Sequence, residues 1–431
     1  MSSIQKNTIK GNIQIINKIN FHIKKVWTPS KRQDIQNSLY AAAISIGSAN
    51  IVILHGKRNE NKNLEIAGYS RSDSKGIKRG EVFYPEKVTY AVRDAVSELQ
   101  HRTGIRLSGV FAGINGHHLR IIKYHNCIKR ESDNDYITIE EVEQFERDAA
   151  KVVRDEGQEI ICILSHNFIV DDETDIINPV GMLGCRLCAN FSLLVYNIHS
   201  VERIKKCIQH AGLTLSAIIP EPLATSEAVL HDEERRAGVA LVDIGGGNTN
   251  VAIFHDDVLR HLANIPYAGI AVTRDIRWGL NEQLAEDLKL RYGVAMSDAA
   301  EKDKVILLPR QLPRREPKEI SIYYLALVIE ARMEEIIDAV MQSIEYSGYA
   351  GRLGCGMVIT GGGAMLPRLK ELIHTRTGMK VRIGCAGDRL TGIADELNQP
   401  CYAPVVGLLM KSFDDRNSQH EEALADEKYF E

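Results

Sequence analysis

Two hydrophobic rhythms alternate along the chain. Residues 41–56, "AAAISIGSANIVILHG", read as two β-rich segments around a small turn. "PEKVTYAVRDAVSELQHRTG" returns its apolar positions every three or four residues and ends in a glycine stop, which predicts a helix. "VERIKKCIQHAGLTLSAIIPEPLATSEAVL" predicts a helix, a short strand and a second helix. "GVALVDIGGGNTNVAIFHDDVLRHLANIP" is again a β-rich pair with a glycine turn. A long helix is expected over "SIYYLALVIEARMEEIIDAVMQSIEYSG". "GMVITGGGAMLPRLKELIHTRTG" then reads as a buried strand, a glycine turn and a helix. Mixed strands and helices of this kind predict an α/β protein whose sheets are covered by helices.

The pattern repeats. "ISIGSANIVILHG" and "VDIGGGNTNVAIFHD" share one outline: an apolar strand, Ile-Gly, small polar residues and a second apolar strand. Each opens one half of the core, so two similar domains facing each other across a cleft are expected. The turns are chemically suggestive. Ordering Gly245, Gly246 and Gly247 is entropically expensive, so the backbone there must serve a close approach. Successive N–H groups in such turns form a nest for anions, and Ser48, Asn50, Asn248 and Thr249 add short polar groups beside them. Gly361, Gly362 and Gly363 sit between a strand and a helix, where a phosphorylated or planar ligand can approach the backbone. None of the three fits a P-loop or a GxGxxG fingerprint.

Composition narrows the class. The chain has 431 residues, 44% of them hydrophobic and 26% charged, an ordinary balance for a protein able to bury a core. A net charge of −4 supplies no overall field for nucleic acid, and no nucleic-acid partner is expected. The apolar runs are too short to span a bilayer, and no secretory signal is expected. The eight cysteines are scattered; Cys185 and Cys188 form a CxxC with no second pair at zinc-ribbon spacing, so reduced core thiols are the expectation. Charge is segregated at the ends. Residues 1–38 are basic, whereas the stretch from Asp414 to Glu431 is acidic and short of apolar residues. Within residues 11–27, "GNIQIINKINFHIKKVW", a helix would gather Ile15, Ile16, Ile19, Ile23, Val26 and Trp27 in an arc of roughly 120°. Lysines would lie outside that arc, and Phe21 violates it. This reads as a membrane-surface helix suited to anionic lipid, with a helix packed on the protein or an unstructured arm as the plainer alternatives.

Over about residues 40–410 the motifs resemble those of the FtsA family of actin-like bacterial cell-division proteins, within the actin, heat-shock chaperone and sugar-kinase superfamily. "ISIGSAN" resembles the first phosphate motif (Gly47, Ser48, Asn50) and "VDIGGGNTN" the second, while "VITGGGAMLP" resembles the adenosine motif, which adds Ala364 and Met365. "GLNEQLAEDLKLRYG" resembles the helix on the nucleoside, which implies Glu286 and Lys289 near ribose or base. "GIKRGEVF", "VFAGINGHHL", "INPVGMLGCRL" and "IPYAGIAVTRDI" resemble segments particular to this family. The resemblance implies an actin-like two-lobed fold of duplicated RNase H-like domains. Its expected parts are a basic extension over 1–38, a first lobe over 39–118, an extra subdomain over 119–194 and a return to the first lobe over 195–235. A second lobe over 236–390 with a small nucleoside-binding subdomain at about 266–335, a final first-lobe segment over 391–412 and an acidic tail over 413–431 complete it.

The same resemblance implies binding of ATP with Mg²⁺, self-assembly, and tethering of the tubulin-like protein FtsZ to the cytoplasmic face of the inner membrane as a peripheral protein. It departs from the family in two acids. Ser45 stands where the first motif usually carries a carboxylate, and Asn250 where an aspartate often ends the second. Asp243 and Glu221 remain to order Mg²⁺ through water as the catalytic pair, so at most a weak ATPase is expected. The acidic C-terminal stretch lacks the apolar face of the family's usual membrane helix, which is why the anchor is sought at the N-terminus. Two other readings share the fold: a pilus-assembly adaptor of the PilM type, and a metabolite kinase, although no base-and-acceptor-loop pair stands out for the latter.

Overall fold

The computed structural model describes residues 21–23, 39–59, 63–130, 136–152, 155–278, 280–308, 319–392 and 394–414. They fall into two compact units, one of residues 26–117 and 200–431, the other of 1–25 and 118–199.

The larger unit contains the same sheet twice. In its first half, strands Tyr40–Ile46, Asn50–Arg58 and Leu64–Asp73 form an antiparallel meander, and Gly109–Ile114 then Thr214–Pro220 add in parallel on the side of Tyr40–Ile46. In its second half, Val239–Ile244, Thr249–His255 and Val258–Ile265 form the meander, with Met357–Thr360 and Val381–Ile383 parallel beside Val239–Ile244. The register repeats as well: Ile46 pairs with Ile51, and Ile244 with Thr249. The first sheet gains a sixth strand, Leu390–Gly392, so the chain returns to the first half after completing the second. This is an α/β, actin-like architecture, built on the duplicated hairpin.

Helices carry the parallel crossovers. Pro85–Thr103 buries Val88, Ala91, Val92, Ala95, Val96 and Leu99, one stripe at helical spacing, and stops at Gly104, whose N–H bonds the Gln100 carbonyl from a left-handed conformation. Ile322–Tyr346 buries Leu325, Ile329, Met333, Ile336, Val340 and Ile344 in the same way. Each buried Val, Leu, Ile or Met of these stripes contributes about 1.5–3 kcal/mol. The second sheet, this long helix and the two helices Gly269–Ile276 and Glu282–Tyr292 share one core, which joins Val242, Ile253 and Ile359 to Val272, Ile276 and Leu288. In helix Glu221–Val229, partly buried Glu227 is held between Arg235 Nη1 and Lys411 Nζ, each at 3.0 Å. Burial opposes its ionisation, but the two cations prevail and bring its pKa down to about 2.

The smaller unit is an antiparallel sheet with a helix on one face. Strand Arg186–Asn197 lies between Arg120–Lys129 and Gln158–Val170. Helix Ile139–Ala150 starts with a reciprocal cap, in which Glu141 N–H donates to Thr138 Oγ1 and Thr138 N–H donates to the Glu141 carboxylate. Its Phe145 and Ala149 pack with Ile160, Phe168, Leu187, Ala189, Phe191 and Leu193.

Two expectations change here. Within the stretch read as an amphipathic helix, Phe21–Ile23 is a short strand, antiparallel to Gln158–Val170 with His22 opposite Ile163. The Phe21–His22–Ile23 alternation has strand period, and Phe21 was the residue that spoiled the helical arc. Ile15, Ile16, Ile19, Val26 and Trp27 lie outside the described residues. The cysteines are also not all reduced: Cys127 and Cys188 form a disulfide. Strand register places these two directly opposite each other, whereas the CxxC partners Cys185 and Cys188 are three residues apart along an extended chain. No described helix is long and apolar enough to cross a membrane.

Candidate functional site

The three glycine turns, far apart in sequence, meet. The two hairpin turns are built alike, Gly47 N–H donating to Asn50 O at 3.0 Å and Gly245 N–H to Asn248 O at 3.1 Å. They abut. A Cβ on Gly246 would lie 2.8 Å from Ala49 Cβ, and one on Gly247 would lie 2.5 Å from Ser48 Oγ and 3.2 Å from Arg79 N. Neither glycine needs a left-handed backbone. What comes too close for a side chain is therefore the other copy of the turn. Among the described residues, no acceptor engages the backbone N–H groups of Ser48, Ala49, Gly246 or Gly247, which leaves a clustered set of donors. Ser48 Oγ accepts from Gly80 N–H at 2.9 Å, and Asn50 Oδ1 accepts from Arg71 Nε at 2.9 Å.

The third turn locks onto the second. Gly361 is left-handed, with φ of 82°, and a Cβ there would lie 2.3 Å from Asp243 Oδ1 and 2.6 Å from Ile244 O. Gly362–Met365 is a single 3₁₀ turn in which Ala364 is buried and Met365 exposed. Gly363 packs on Ile244. Gly362 differs: a Cβ there meets only Cys401 Cβ, at 4.0 Å, so its outer side is open. Gly246 and Gly362, alike in sequence, thus have different reasons for being glycine.

Beneath the turns lies a partly buried polar relay. Ser45 Oγ donates to Glu221 Oε1 at 2.6 Å, Asn115 Nδ2 donates to Glu221 Oε2 at 3.1 Å, and Asn248 Nδ2 donates to Asn115 Oδ1 at 3.1 Å. Ser45 is thus more than a missing acid, because its hydroxyl satisfies a buried carboxylate. Asp243 lies opposite Asn250 in the hairpin, and both are buried. Burial, then repulsion from Glu221, outweigh the hydrogen bond from Asn250 and push Asp243 up to about 7. Burial likewise raises Glu221, against the bonds from Ser45 and Asn115. Two buried carboxylates that resist ionising together form a set that a divalent cation would relieve.

Glu286 and Lys289 sit on helix Glu282–Tyr292. Lys289 Nζ donates to Glu286 Oε2 at 2.7 Å, Thr273 Oγ1 at 2.8 Å and Gly269 O at 3.1 Å, and Thr273 Oγ1 also bonds Glu286. Gly269 and Ile270 in turn donate their N–H groups to Gly245 O and Gly246 O at 3.2 and 2.7 Å. Helix Gly269–Ile276 is thereby pinned to the second turn, and the Glu286–Lys289 pair is pinned to that helix. Thr249 faces inward, its hydroxyl donating to Tyr267 O at 3.1 Å. The sequence reading missed Asn115, Thr273 and Gly80; "INGHH" and "GIAVT" offered small polar residues but no local sign of long-range pairing.

Known proteins resemble this chain. The family model "Cell division protein FtsA" matches residues 240–407, and "SHS2 domain inserted in FTSA" matches 116–195. The chain is 33% identical to the cell division protein FtsA of Pseudomonas aeruginosa, over 87% of this chain and 90% of that protein. It is 31% identical to that of Escherichia coli K12 over 85% and 88%, and 30% identical to that of Bacillus subtilis 168 over 86% and 83%. Among solved structures, the PilM–PilN type IV pilus biogenesis complex superposes with a TM-score of 0.60 at 15% identity, covering 86% of this chain and 98% of that one. MreB5 of Spiroplasma citri bound to ADP superposes with a TM-score of 0.54 at 14% identity, covering 89% and 99%. These last two likenesses bear on the fold alone; the sequence matches go further, and by them the chain belongs to the FtsA family of cell-division proteins.

Proposed function

We propose that this chain binds ATP with Mg²⁺ where its three glycine turns meet, uses the nucleotide to govern assembly with further copies of itself, and tethers FtsZ to the cytoplasmic face of the inner membrane. The observation that carries the reading is the abutment of two duplicated turns with clustered N–H donors, backed by a third turn with an open side at Gly362. MreB5 of Spiroplasma citri, of like fold, has been solved with ADP and with AMPPNP. In this reading the N–H groups of Ser48, Ala49, Gly246 and Gly247 bind phosphate oxygens, the open side at Gly362 and the exposed Met365 take the base, and Glu286 and Lys289 bind ribose or base. Asp243 and Glu221 hold the water shell of the cation, which when bound would neutralise charge on the phosphates.

Hydrolysis is slow in this account. Ser45 and Asn250 are neutral, and Ser45 is engaged with Glu221 at 2.6 Å, so few anionic groups remain to order a metal shell or an attacking water. A turnover below about 1 per second, the low end for kinases, is expected at saturating ATP. Phosphate release followed over hours checks this, and turnover in the range of ordinary kinases would contradict it.

Membrane attachment is assigned to the N-terminal stretch before the strand at Phe21, where Ile15, Ile16 and Ile19 are the apolar anchors and nearby lysines meet anionic headgroups. On flotation with anionic vesicles, the chain should rise and carry FtsZ with it. Replacing Ile15, Ile16 and Ile19 with Asn should leave both proteins at the bottom. Flotation unaffected by the triple substitution would place the anchor elsewhere, and a chain that floats without FtsZ would remove the tether role.

A further inference from the structure

The smaller unit carries a side-chain cluster that plays no part in the nucleotide reading. On the antiparallel pair Arg120–Lys129 and Arg186–Asn197, Cys127 lies opposite Cys188, and two residues along, His125 lies opposite Asn190. Residues two apart on a strand share a face, so all four stand on one face of the sheet. It is the face opposite the helix-covered one, to which Tyr124, Ile128, Leu187, Ala189 and Phe191 belong. His125 Nε2 is 3.2 Å from Cys127 Sγ, and the possible ligand atoms of His125, Cys127 and Cys188 all lie within 4.8 Å of one another.

The imidazole is oriented by a directional chain of hydrogen bonds. Asp175 Oδ1 accepts from Asn167 Nδ2 at 2.5 Å, Asn167 Oδ1 accepts from Asn190 Nδ2 at 3.4 Å, and Asn190 Oδ1 pairs with His125 Nδ1 at 2.9 Å. A carboxylate that only accepts, at one end, fixes both amides and makes Nδ1 the protonated nitrogen. Nε2 is then left with its lone pair toward the sulfurs. An outer-shell carbonyl on the second imidazole nitrogen is the arrangement that accompanies metal-bound histidine.

We propose that the reduced chain binds a thiophilic divalent cation of the zinc class through Cys127 Sγ, Cys188 Sγ and His125 Nε2, and that the Cys127–Cys188 disulfide and the metal are alternative states of this one face. Tetrahedral Zn²⁺, with sulfur at ~2.3 Å and nitrogen at ~2.0 Å, holds those two ligand atoms about 3.5 Å apart, close to the separation here. Three protein ligands leave a fourth position for water. The interconversion balances: a dithiol reductant gives two electrons and two protons to the S–S bond and becomes a disulfide itself, and the cation then displaces the two thiol protons as both Cys–metal bonds form.

The test uses the full chain, reduced by a phosphine under anaerobic conditions, titrated with Co²⁺ as a spectroscopic stand-in for zinc. One equivalent should produce thiolate-to-cobalt charge-transfer absorption together with the intense visible bands of four-coordinate cobalt, and added Zn²⁺ should abolish both. Cys127→Ser and Cys188→Ser should each lose the charge-transfer band, while Asn190→Ala keeps it with metal affinity lowered about 10–100-fold. Chain oxidised to the Cys127–Cys188 disulfide should show neither the charge-transfer band nor the intense visible bands. A reduced parent without the band, a band that survives Cys127→Ser, or the same bands from the disulfide form would each overturn the proposal.

Discussion

Asp243→Asn is expected to raise the stability of the nucleotide-free protein at pH 8 by about 4 kcal/mol while leaving it unchanged near pH 4. The shift from 3.8 to about 7 means that the folded protein keeps a proton on Asp243 through a window where the unfolded chain has lost it. Stability therefore falls as pH rises from about 4 to 7 and levels off above that. Three pH units correspond to about 4 kcal/mol. Glu221, raised by burial, adds in the same direction. Glu227 has the opposite sign: with its pKa down at about 2, its contribution is lost only on acidification below the ordinary carboxylate range. Urea unfolding of the parent and the Asn variant between pH 5 and 8 measures the Asp243 effect by difference. The parent should lose stability across that range, and the Asn variant should show a flatter profile. Parallel profiles would mean that Asp243 does not carry the buried proton. The gain in stability should come with loss of Mg²⁺-dependent nucleotide affinity, because in this reading the buried carboxylate is kept for the cation.

Gly361→Ala should be the most damaging single methyl in the site. The residue is left-handed at φ of 82°, a conformation that costs an L residue about 1–2 kcal/mol. The added Cβ would also fall 2.3 Å from Asp243 Oδ1 and 2.6 Å from Ile244 O, and the second of these is backbone within a sheet. Overpacking of this kind costs about 1–3 kcal/mol more. A total loss of roughly 2–5 kcal/mol is expected in denaturant unfolding. Stability equal to the parent's would show that the third turn is not locked on the second.

The duplicated hairpins, the helix stop at Gly104 and the three strand-end turns were legible because each is a local pattern of period, β-branching and glycine. The relay beneath them was not. Ser45, Asn115 and Glu221 are brought together across separations of 106 and 176 residues, and only sheet order decides that they meet. The same limit applied to Cys188, whose partner is set by the register between two strands and not by the neighbouring CxxC. At the N-terminus a helical arc was drawn through Ile23, but with a sheet edge available the alternation of Phe21 and Ile23 won locally. Glycine itself was the most ambiguous signal. Gly246, Gly361 and Gly362 look equivalent in sequence, yet one answers to a neighbouring turn, one to a left-handed backbone, and one has space beside it.

That last difference supplies the most direct measurement. A Cβ at Gly362 meets nothing nearer than Cys401 Cβ at 4.0 Å, so Gly362→Leu should fold with the parent's melting temperature while filling the open side of the third turn. Binding of a fluorescent ATP analogue in the presence of Mg²⁺, displaced by unlabelled ATP, should be measured for both proteins. The account predicts binding by the parent and an affinity lower by at least about tenfold, some 1.4 kcal/mol, in the variant. Equal affinity in the two, with both folded, would contradict the placement of the nucleotide at the meeting of the three turns.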